Sequence, residues 1–369
     1  MSKFTKYIQG APFVNRNNYT SSLLYILVTI TSIGFSPTSQ GEIANEFLLF
    51  PYLGVNLRTD LADDTELDSH DYEYGVDLFA TFEHGNFRFL GEVMLDKREQ
   101  EIERFQIGWM AGDSVVWLGR FHNPLGYWNS QYHHGSYLET SISRPAIVAF
   151  EDEIGILPAH LTGFLIEGVI EHDQQGLGYA LAAAVGPEFK DELEALDILD
   201  PGSGAKDISL TLNLHYEPVL YAPTLYGMHI NYTEIPADNI GFNEIHQINA
   251  GLYANWESHP WRLTGSLFYV HNSLQQISSS VEDEFFSGYV QAEYNLHDQW
   301  TIFSRIEWTI GDKNDLYLEL FPGYIRDRIL VGFRLDIVEH HALKLEISSN
   351  RNTQDNDFGQ FTLQWDVMF

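Results

Sequence analysis

A strict alternation of apolar and polar residues, repeated along most of the chain, constrains this sequence more than any other feature. In the segment Phe358 to Phe369, the odd positions from 361 onward are apolar and the even positions from 360 to 366 are polar. The same pattern recurs in Asp207 to Tyr216 and in Trp300 to Ile310. Successive side chains of a β-strand point to opposite faces of the sheet, so a period of two predicts strands. The chain is therefore predicted to be all-β.

Sixteen segments show this period and are predicted to be strands. Two of them, 114–121 and 161–171, are apolar on part of both faces, which weakens the period there. The predicted strands span 46–57, 71–83, 86–96, 101–110, 114–121, 161–171, 177–186, 206–216, 225–233, 245–257, 259–271, 284–296, 299–310, 327–337, 341–349 and 358–369.

The connections between the predicted strands alternate in length. Tight links lie at 84–85, 111–113, 258, 297–298 and 339–340. The links that alternate with them are usually longer and span 58–70, 122–160, 187–205, 234–244, 272–283, 311–326 and 350–357. An up-and-down sheet with short turns at one rim and long loops at the other is typical of a transmembrane β-barrel. An even strand number would place both chain ends at the rim with the short turns.

The positions of the aromatic residues favour a membrane barrel over a soluble one. In lipid every backbone polar group must be paired within the protein, so a spanning sheet closes, with an apolar outer band, aromatic belts at both interfaces and a polar interior. Aromatic residues cluster near the predicted strand ends at Tyr72, Tyr74, Trp109, Trp117, Tyr216, Trp256, Trp261, Trp300, Trp308, Trp365 and Phe369. The alternative, a secreted soluble sandwich or propeller, would bury the apolar faces in a core, and alternation alone does not distinguish the two.

The first 41 residues are predicted to be a signal peptide that is cleaved from the chain. Residues 1–22 carry Lys3, Lys6 and Arg16 and no acid, and the apolar run 23–35 follows, a pattern typical of secretory signals. The thirteen residues of that run fall short of the roughly 20 that a transmembrane helix needs. Cleavage after Gly41 would leave residues 42–369 as the barrel.

Charge and composition argue against several classes of protein. The chain has 20 basic and 52 acidic residues, a formal net charge of −32, which disfavours binding to nucleic acid. It has no cysteine, so a metal site must use histidines and carboxylates. No nucleophile motif such as G-x-S-x-G occurs, so the chain is predicted not to be an enzyme, and no cofactor is expected.

The last strand, FTLQWDVMF ending in Phe369, resembles the terminal strand of Gram-negative outer-membrane proteins, whose final aromatic residue is read by the barrel-insertion machinery. The chain from residue 42 resembles the 16-stranded porins, and Leu118 to Gly126 is similar to the phosphate-selective porin-like families. The resemblance implies an outer-membrane homotrimer of water-filled barrels that pass small hydrophilic solutes or ions passively. Acid-rich external loops are candidates to bind cations that bridge to lipopolysaccharide.

The longest connection is implied by this resemblance to be the constriction, because the third external loop of general porins folds into the lumen. Acids on this loop, 122–160, opposite arginines on the wall would set up a transverse field that selects among ions. Alternatively, these charges only solvate each other across a wet lumen. The predicted constriction residues are Glu139, Glu151, Asp152 and Glu153 on the loop and Arg88, Arg104, Arg120, Arg262, Arg305 and Arg334 on the wall. Twelve acids and seven bases are predicted to face inward, which predicts mild cation preference.

Four histidines border this loop or lie in it: His122, His133, His134 and His160. Imidazole combined with carboxylate suits Zn, Cu, Ni or Fe, so these residues are candidates for a metal site. Their spacing matches no known ligand motif, and loop histidines also serve as hydrogen-bond partners of tyrosines or carbonyls. The alternative function is a barrel with a closed lumen that binds a metal or acts as a structural or interaction protein.

Overall fold

Sixteen strands form one closed antiparallel barrel in the computed structural model, which describes residues 44–60, 69–97, 100–132, 136–196, 198, 207–237, 241–276, 279–312 and 314–369. The predicted signal peptide, 1–41, lies outside the described residues. The strands are β1 (Ala44–Asp60), β2 (Ser69–His84), β3 (Phe87–Asp96), β4 (Gln100–Ala111), β5 (Ser114–His122), β6 (His160–His172), β7 (Gln175–Val185), β8 (Glu188–Phe189), β9 (Leu193–Glu194), β10 (Ile208–Glu217), β11 (Leu225–Pro236), β12 (Glu244–Ser258), β13 (Trp261–Gln275), β14 (Ser280–His297), β15 (Trp300–Gly311), β16 (Ile325–Val338), β17 (His341–Asn352) and β18 (Asp357–Val367).

Each barrel strand pairs with its neighbour in sequence, and β1 pairs with β18 to close the sheet, from Tyr52 opposite Asp366 to Asp60 opposite Phe358. The two-residue strands β8 and β9 form a separate hairpin outside the barrel sheet. All sixteen predicted strands are present, with ends within four residues of the predicted ones. The predicted fold class, an antiparallel barrel of sixteen strands, is therefore confirmed.

Six two-residue turns gather at one rim of the barrel, and the two longest connections lie at the other, whereas 97–99 and 353–356 at that second rim are shorter than the sequence predicts. These turns lie at 85–86, 112–113, 173–174, 259–260, 298–299 and 339–340. The first and last strands also meet at this rim, where the backbone N–H of Leu49 donates to the carbonyl of Phe369 at 3.0 Å. At the opposite rim the connections include 123–159 and 186–207. Helices α1 (Gly126–Gln131) and α2 (Leu316–Glu319) lie in these connections. Among the described residues, no helix combines the length and apolar character needed to cross a membrane.

The outer surface of the barrel is apolar, because the alternating side chains place their apolar set outward. In β15, Trp300, Ile302, Ile306 and Ile310 are exposed, whereas the residues between them that face inward, such as Glu307, are buried. Exposed aromatic residues lie near strand ends, as belts at the two lipid interfaces require; they include Tyr72, Tyr74, Trp109, Tyr216, Trp261, Trp300 and Trp365. An apolar surface of this extent on a closed barrel suits lipid as its surroundings.

Two expectations about which side chains face outward or inward are wrong. Trp117, predicted in the outer aromatic belt, is buried, and its Nε1 donates to Glu167 at 2.8 Å; β5 is apolar on both faces, so its sequence did not fix its register. The interior is also not polar throughout. A cluster of buried apolar side chains joins the loop 123–159 to the inward faces of β11–β14 and to α2, and it includes Leu125, Trp128, Ile147, Ile156, Ile245, Phe268, Leu274, Phe285, Tyr289, Tyr317 and Leu318.

Candidate functional site

The loop 123–159 leaves the wall at β5, which at nine residues is the shortest strand of the barrel. Glycine is required at position 119, because φ there is +138° and a Cβ would lie 1.9 Å from the carbonyl oxygen of Phe105. The two ends of the loop are held together where the backbone N–H of Asn123 donates to the carbonyl of Ala159 at 2.7 Å. The Asn123 side chain also accepts from Thr211 at 2.7 Å. These bonds fix the loop entrance to the wall.

The first part of the loop packs on β11–β13 through α1. Leu125 and Trp128 are fully buried there beside Phe268. Gly126, with φ of +70°, donates its backbone N–H to Nδ1 of His229 at 3.1 Å. Apolar burial of this kind is favourable without being directional, so this wall attracts the loop, and the hydrogen bond from Gly126 helps to orient it.

The middle of the loop, residues 136–146, is held on β15–β17 by basic side chains that donate to its backbone carbonyls. Arg305 is fully buried and also binds Glu307 at 2.8 Å. Its guanidinium and those of two other arginines reach the carbonyls of Ser143 (2.9 Å from Arg305), Arg144 (3.1 Å from Arg305 and 2.8 Å from Arg328), Tyr137 (2.6 Å from Arg334) and Glu139 (2.9 Å from Arg334). Lys344 donates to the carbonyl of Ser136. Four cations of the wall therefore hold the loop backbone.

Acidic side chains of the wall bind the donors of the same loop segment. Glu346 accepts from the backbone N–H of Ile142 at 3.1 Å, and Glu307 accepts from that of Ala146 at 2.7 Å. Glu293 accepts from the hydroxyl of Thr140 at 2.7 Å, and Asp366 accepts from that of Ser136. Hydrogen bonds to charged groups contribute about 1.5–3 kcal/mol each, so this network fixes the position of the segment firmly.

The acids predicted at the constriction differ in their surroundings. Glu139 is fully buried and accepts from Nε1 of Trp128 at 3.3 Å, and burial raises its pKa to about 7. Burial likewise raises the pKa of Glu153 to about 8, although Arg144 opposes the shift. Burial also raises the pKa of Glu151, but the charge and hydrogen bonds of His160 outweigh it and hold that pKa below its usual value. Asp152 lies in the 3-10 turn Glu151–Glu153.

The six predicted arginines point into the barrel but do not form one row opposite the loop. Arg305 and Arg334 hold the loop backbone, and Arg262 donates to the hydroxyl of Tyr127 at 3.3 Å. The other three pair with acids of neighbouring strands: Arg88 with Glu83 at 3.3 Å, Arg104 with Glu92 at 2.5 Å, and Arg120 with Glu101. The transverse field thus stays a prediction. Arg328 was missed, although it shares the parity of Arg334 on β16.

Two of the four candidate histidines, His122 and His160, meet at the neck of the loop, which is the place where the loop leaves β5 and enters β6. His133 and His134 lie outside the described residues. His160 bonds through Nδ1 to Glu151 and through Nε2 to Glu103, both at 2.8 Å. His122 Nε2 lies 3.7 Å from the same oxygen of Glu103. Glu103 was missed because a bulge between Glu92 and Met94 shifts the register of β4. Alternation in the sequence carries no signal of such a shift.

Two cavities flank the loop inside the barrel. The larger one, about 440 Å³, lies toward the rim with the short turns. Four acids and two arginines line it, together with Trp117 and His122: Glu83, Asp113, Glu167, Glu171, Arg88 and Arg104. The other, about 320 Å³, lies toward the rim with the long loops, between the segment 136–154 and strands β1, β16 and β18. The loop therefore stands between two spaces that are lined in part by charge.

Comparison with solved structures identifies barrels of the same architecture. The outer membrane channel DcaP of Acinetobacter baumannii has a TM-score of 0.59 at 9% identity, over 90% of this chain and 99% of that one. The anion-selective porin from Comamonas acidovorans has 0.58 at 12% identity, over 89% and 100%. The trimer form of OmpT, an outer membrane protein of Vibrio cholerae, has 0.51 at 12% identity, over 89% and 99%.

Comparisons of the sequence alone found no related protein. No protein-family model matches the chain, and no curated protein matches it in sequence. At 9–12% identity the shared property is the fold. The expected resemblance to 16-stranded porins is thereby confirmed in three dimensions, and the chain is similar in fold to the porins of bacterial outer membranes.

Proposed function

We propose that this protein is an outer-membrane channel for passive diffusion of small hydrophilic solutes or ions, narrowed by the loop 123–159. The observation that carries the proposal is the pair of cavities, one on each side of a loop that is anchored inside a lipid-compatible barrel. A loop fixed at both of its ends and along its middle can set the width of a passage, whereas a free loop would not. The porin-like fold supports the same function.

The proposed solutes are neutral or cationic. Four acids and two arginines line the larger cavity, and an excess of one charge along a narrow passage raises the local concentration of ions of the opposite sign. The similar porin from Comamonas acidovorans is described as anion-selective, so the fold leaves the sign of selectivity to the lining residues. Mild cation preference follows from the lining of this chain.

The proposal extends to the location of the protein, its insertion into the membrane and its oligomeric state. Residues 1–41 direct export, Phe369 is recognised by the barrel-insertion machinery, and lipids and lipopolysaccharide surround the apolar wall. We also propose a homotrimer, which the trimer form of the similar Vibrio cholerae protein supports. Catalysis and nucleic-acid binding form no part of this proposal.

A second candidate is a closed barrel with a structural or binding role. It is favoured by the apolar cluster that fills the space between the loop and β11–β14, because water and ions avoid such a region. In this case the two cavities would be pockets that do not communicate.

Conductance across a planar bilayer separates these two candidates. Refolded protein 42–369 is expected to give discrete conductance steps and a reversal potential of cation-preferring sign under a salt gradient. Replacing both Glu167 and Glu171 by Gln should reduce that preference, since both line the larger cavity. The matched control is Glu339→Gln at the exposed turn 339–340, which should leave it unchanged. A stably inserted barrel without conductance would contradict the channel and support the closed lumen.

A further inference from the structure

Three metal-ligating side chains from three adjacent strands converge at the neck of the loop. Glu103 lies on β4, His122 is the last residue of β5 and His160 is the first residue of β6. All three side chains are buried, and one ligand atom from each lies within 4.8 Å of the other two. We propose that these three residues bind a divalent first-row transition metal ion, represented by Zn²⁺.

The distances in this group suit a small coordination sphere. Oε2 of Glu103 lies 2.8 Å from Nε2 of His160 and 3.7 Å from Nε2 of His122. With Zn–N bonds of about 2.0–2.1 Å, neighbouring ligands of a tetrahedral ion are about 3.3 Å apart. Side-chain adjustments of about an ångström would therefore place the three atoms around one ion. Two imidazoles and a carboxylate form a ligand set that zinc commonly uses in proteins.

Glu151 holds His160 in the orientation that a metal ligand needs. Its Oε2 bonds to Nδ1 of His160 at 2.8 Å, and its Oε1 accepts the backbone N–H of the same residue at 2.8 Å. A carboxylate that accepts a hydrogen bond from one imidazole nitrogen fixes the ring and makes the other nitrogen a more basic metal ligand. This is the usual outer-shell arrangement at metal sites. The ring of Phe150 packs on both histidines and restricts their motion. Its centroid lies 5.1 Å from the ring centroid of His122 and 4.7 Å from that of His160.

The local charge also favours a dication. Three carboxylates meet here, those of Glu101, Glu103 and Glu151, and Arg120 supplies one compensating charge through its pair with Glu101. A divalent ion would offset this excess of carboxylates, and buried charge is least costly when it is balanced.

The site lies where a bound ion would have a structural consequence. It would join β4 to both ends of the loop 123–159, because His122 precedes the loop directly and His160 follows it. His122 also lines the larger cavity, so one of the three ligands borders the lumen. This inference does not depend on the proposed channel function, since its test measures binding and not conductance.

Titration of the refolded, metal-free protein with Co²⁺, followed by visible absorption, tests the site. One equivalent is expected to bind with the absorption of tetrahedral Co²⁺ and to be displaced by Zn²⁺. Glu103→Gln and His122→Ala should abolish this signal, and Glu151→Gln should weaken binding about 10–100-fold. The matched control is His271→Ala, whose ring pairs with Glu282 at 3.0 Å outside this group, and which should bind as the parent does.

Several results would overturn the proposal. These are the absence of stoichiometric binding, binding unchanged in both Glu103→Gln and His122→Ala, and equal loss in the His271→Ala control. If a variant does not refold, X-ray absorption at the zinc edge of the parent protein decides the question. Two imidazole nitrogens and a carboxylate oxygen around zinc are expected, and a shell of oxygen atoms alone would contradict the site.

Discussion

The loop 123–159 meets two walls of the same barrel, and they hold it in different ways. On β11–β13 the contacts are mainly apolar and include Leu125, Trp128 and Phe268. On β15–β17 they are charged, with Arg305 and Glu307 at their centre. Apolar burial depends on area and tolerates sliding, whereas charge-assisted hydrogen bonds require particular positions. The apolar wall therefore draws the loop inward, and the charged wall fixes where its backbone lies.

Removing Arg305 should have the largest effect on this arrangement. Arg305→Met leaves buried acceptors of the loop and wall without their cation, which costs about 3–5 kcal/mol. We expect the free energy of unfolding to fall by that amount and the loop to become sensitive to protease in the folded barrel. Urea unfolding in detergent and limited proteolysis measure the two effects.

The control for Arg305 is an ion pair of the same chemistry at the surface. Arg351 bonds to Asp357 at 2.8 Å, and both side chains are about half exposed. Solvent screens such a pair, so Arg351→Gln should leave stability and proteolysis unchanged. Equal effects of the two substitutions would show that the charged wall does not hold the loop.

Truncation of a side chain on the apolar wall should have the next largest effect. Leu125 is fully buried, and Leu125→Ala should lower the free energy of unfolding by about 3 kcal/mol through lost burial and the cavity that remains. Unlike the effect of Arg305→Met, this loss should not depend on salt, because no charge is involved. Unfolding at low and high ionic strength measures it. Leu118→Ala on the exposed outer face is the control, and an effect of similar size there would contradict a special role for Leu125.

Protonation of Glu139 should have a somewhat smaller effect on the free energy of unfolding. It tests the comparison of the two walls through the dependence of stability on pH. Burial raises its pKa from the usual 4.5 to about 7, so the folded protein binds this proton more tightly than the unfolded chain does. Its contribution to stability is therefore complete below pH 4.5 and is lost as the pH rises through about 7. We expect a decrease on the order of 2–3 kcal/mol in the free energy of unfolding over this range.

Urea unfolding at a series of pH values measures the contribution of Glu139. Glu139→Gln should flatten this part of the profile, whereas the exposed variant Glu339→Gln should keep it. A profile that rises with pH between about 5 and 8, in the parent but not in Glu139→Gln, would contradict the predicted sign.

Prediction of the barrel from the sequence succeeded because lipid and lumen impose the same alternation on most of the strands. The positions of individual inward side chains were harder to predict. Trp117 lies on a strand that is apolar on both faces, so either register would have satisfied the pattern. Glu103 faces the lumen through a bulge in β4, and a bulge depends on backbone geometry that alternation does not encode.

The candidate site also divides into features that could be predicted from the sequence and features that could not. Its loop and most of its charged residues could be predicted from length and composition, because a connection of such length with so many aromatic residues must be buried against something. Which charges meet was decided by the fold: Glu139 of the loop packs against Trp128 of the same loop, Glu151 binds His160 of the wall, and wall residues far away in sequence bind the loop backbone, such as Arg305 and Glu346.

The sequence by itself determined which segments form strands, that these strands follow one another in an up-and-down order, and which connections between them are longest. These properties follow from local periodicity and from turn spacing, which neighbouring residues specify. Only the tertiary structure decided that part of the inner wall, on β11–β14, packs against the loop through apolar side chains, and that Glu103, His122 and His160 converge. Such groupings join residues on separate strands, and their geometry arises only when the sheet closes and the loop packs inside it.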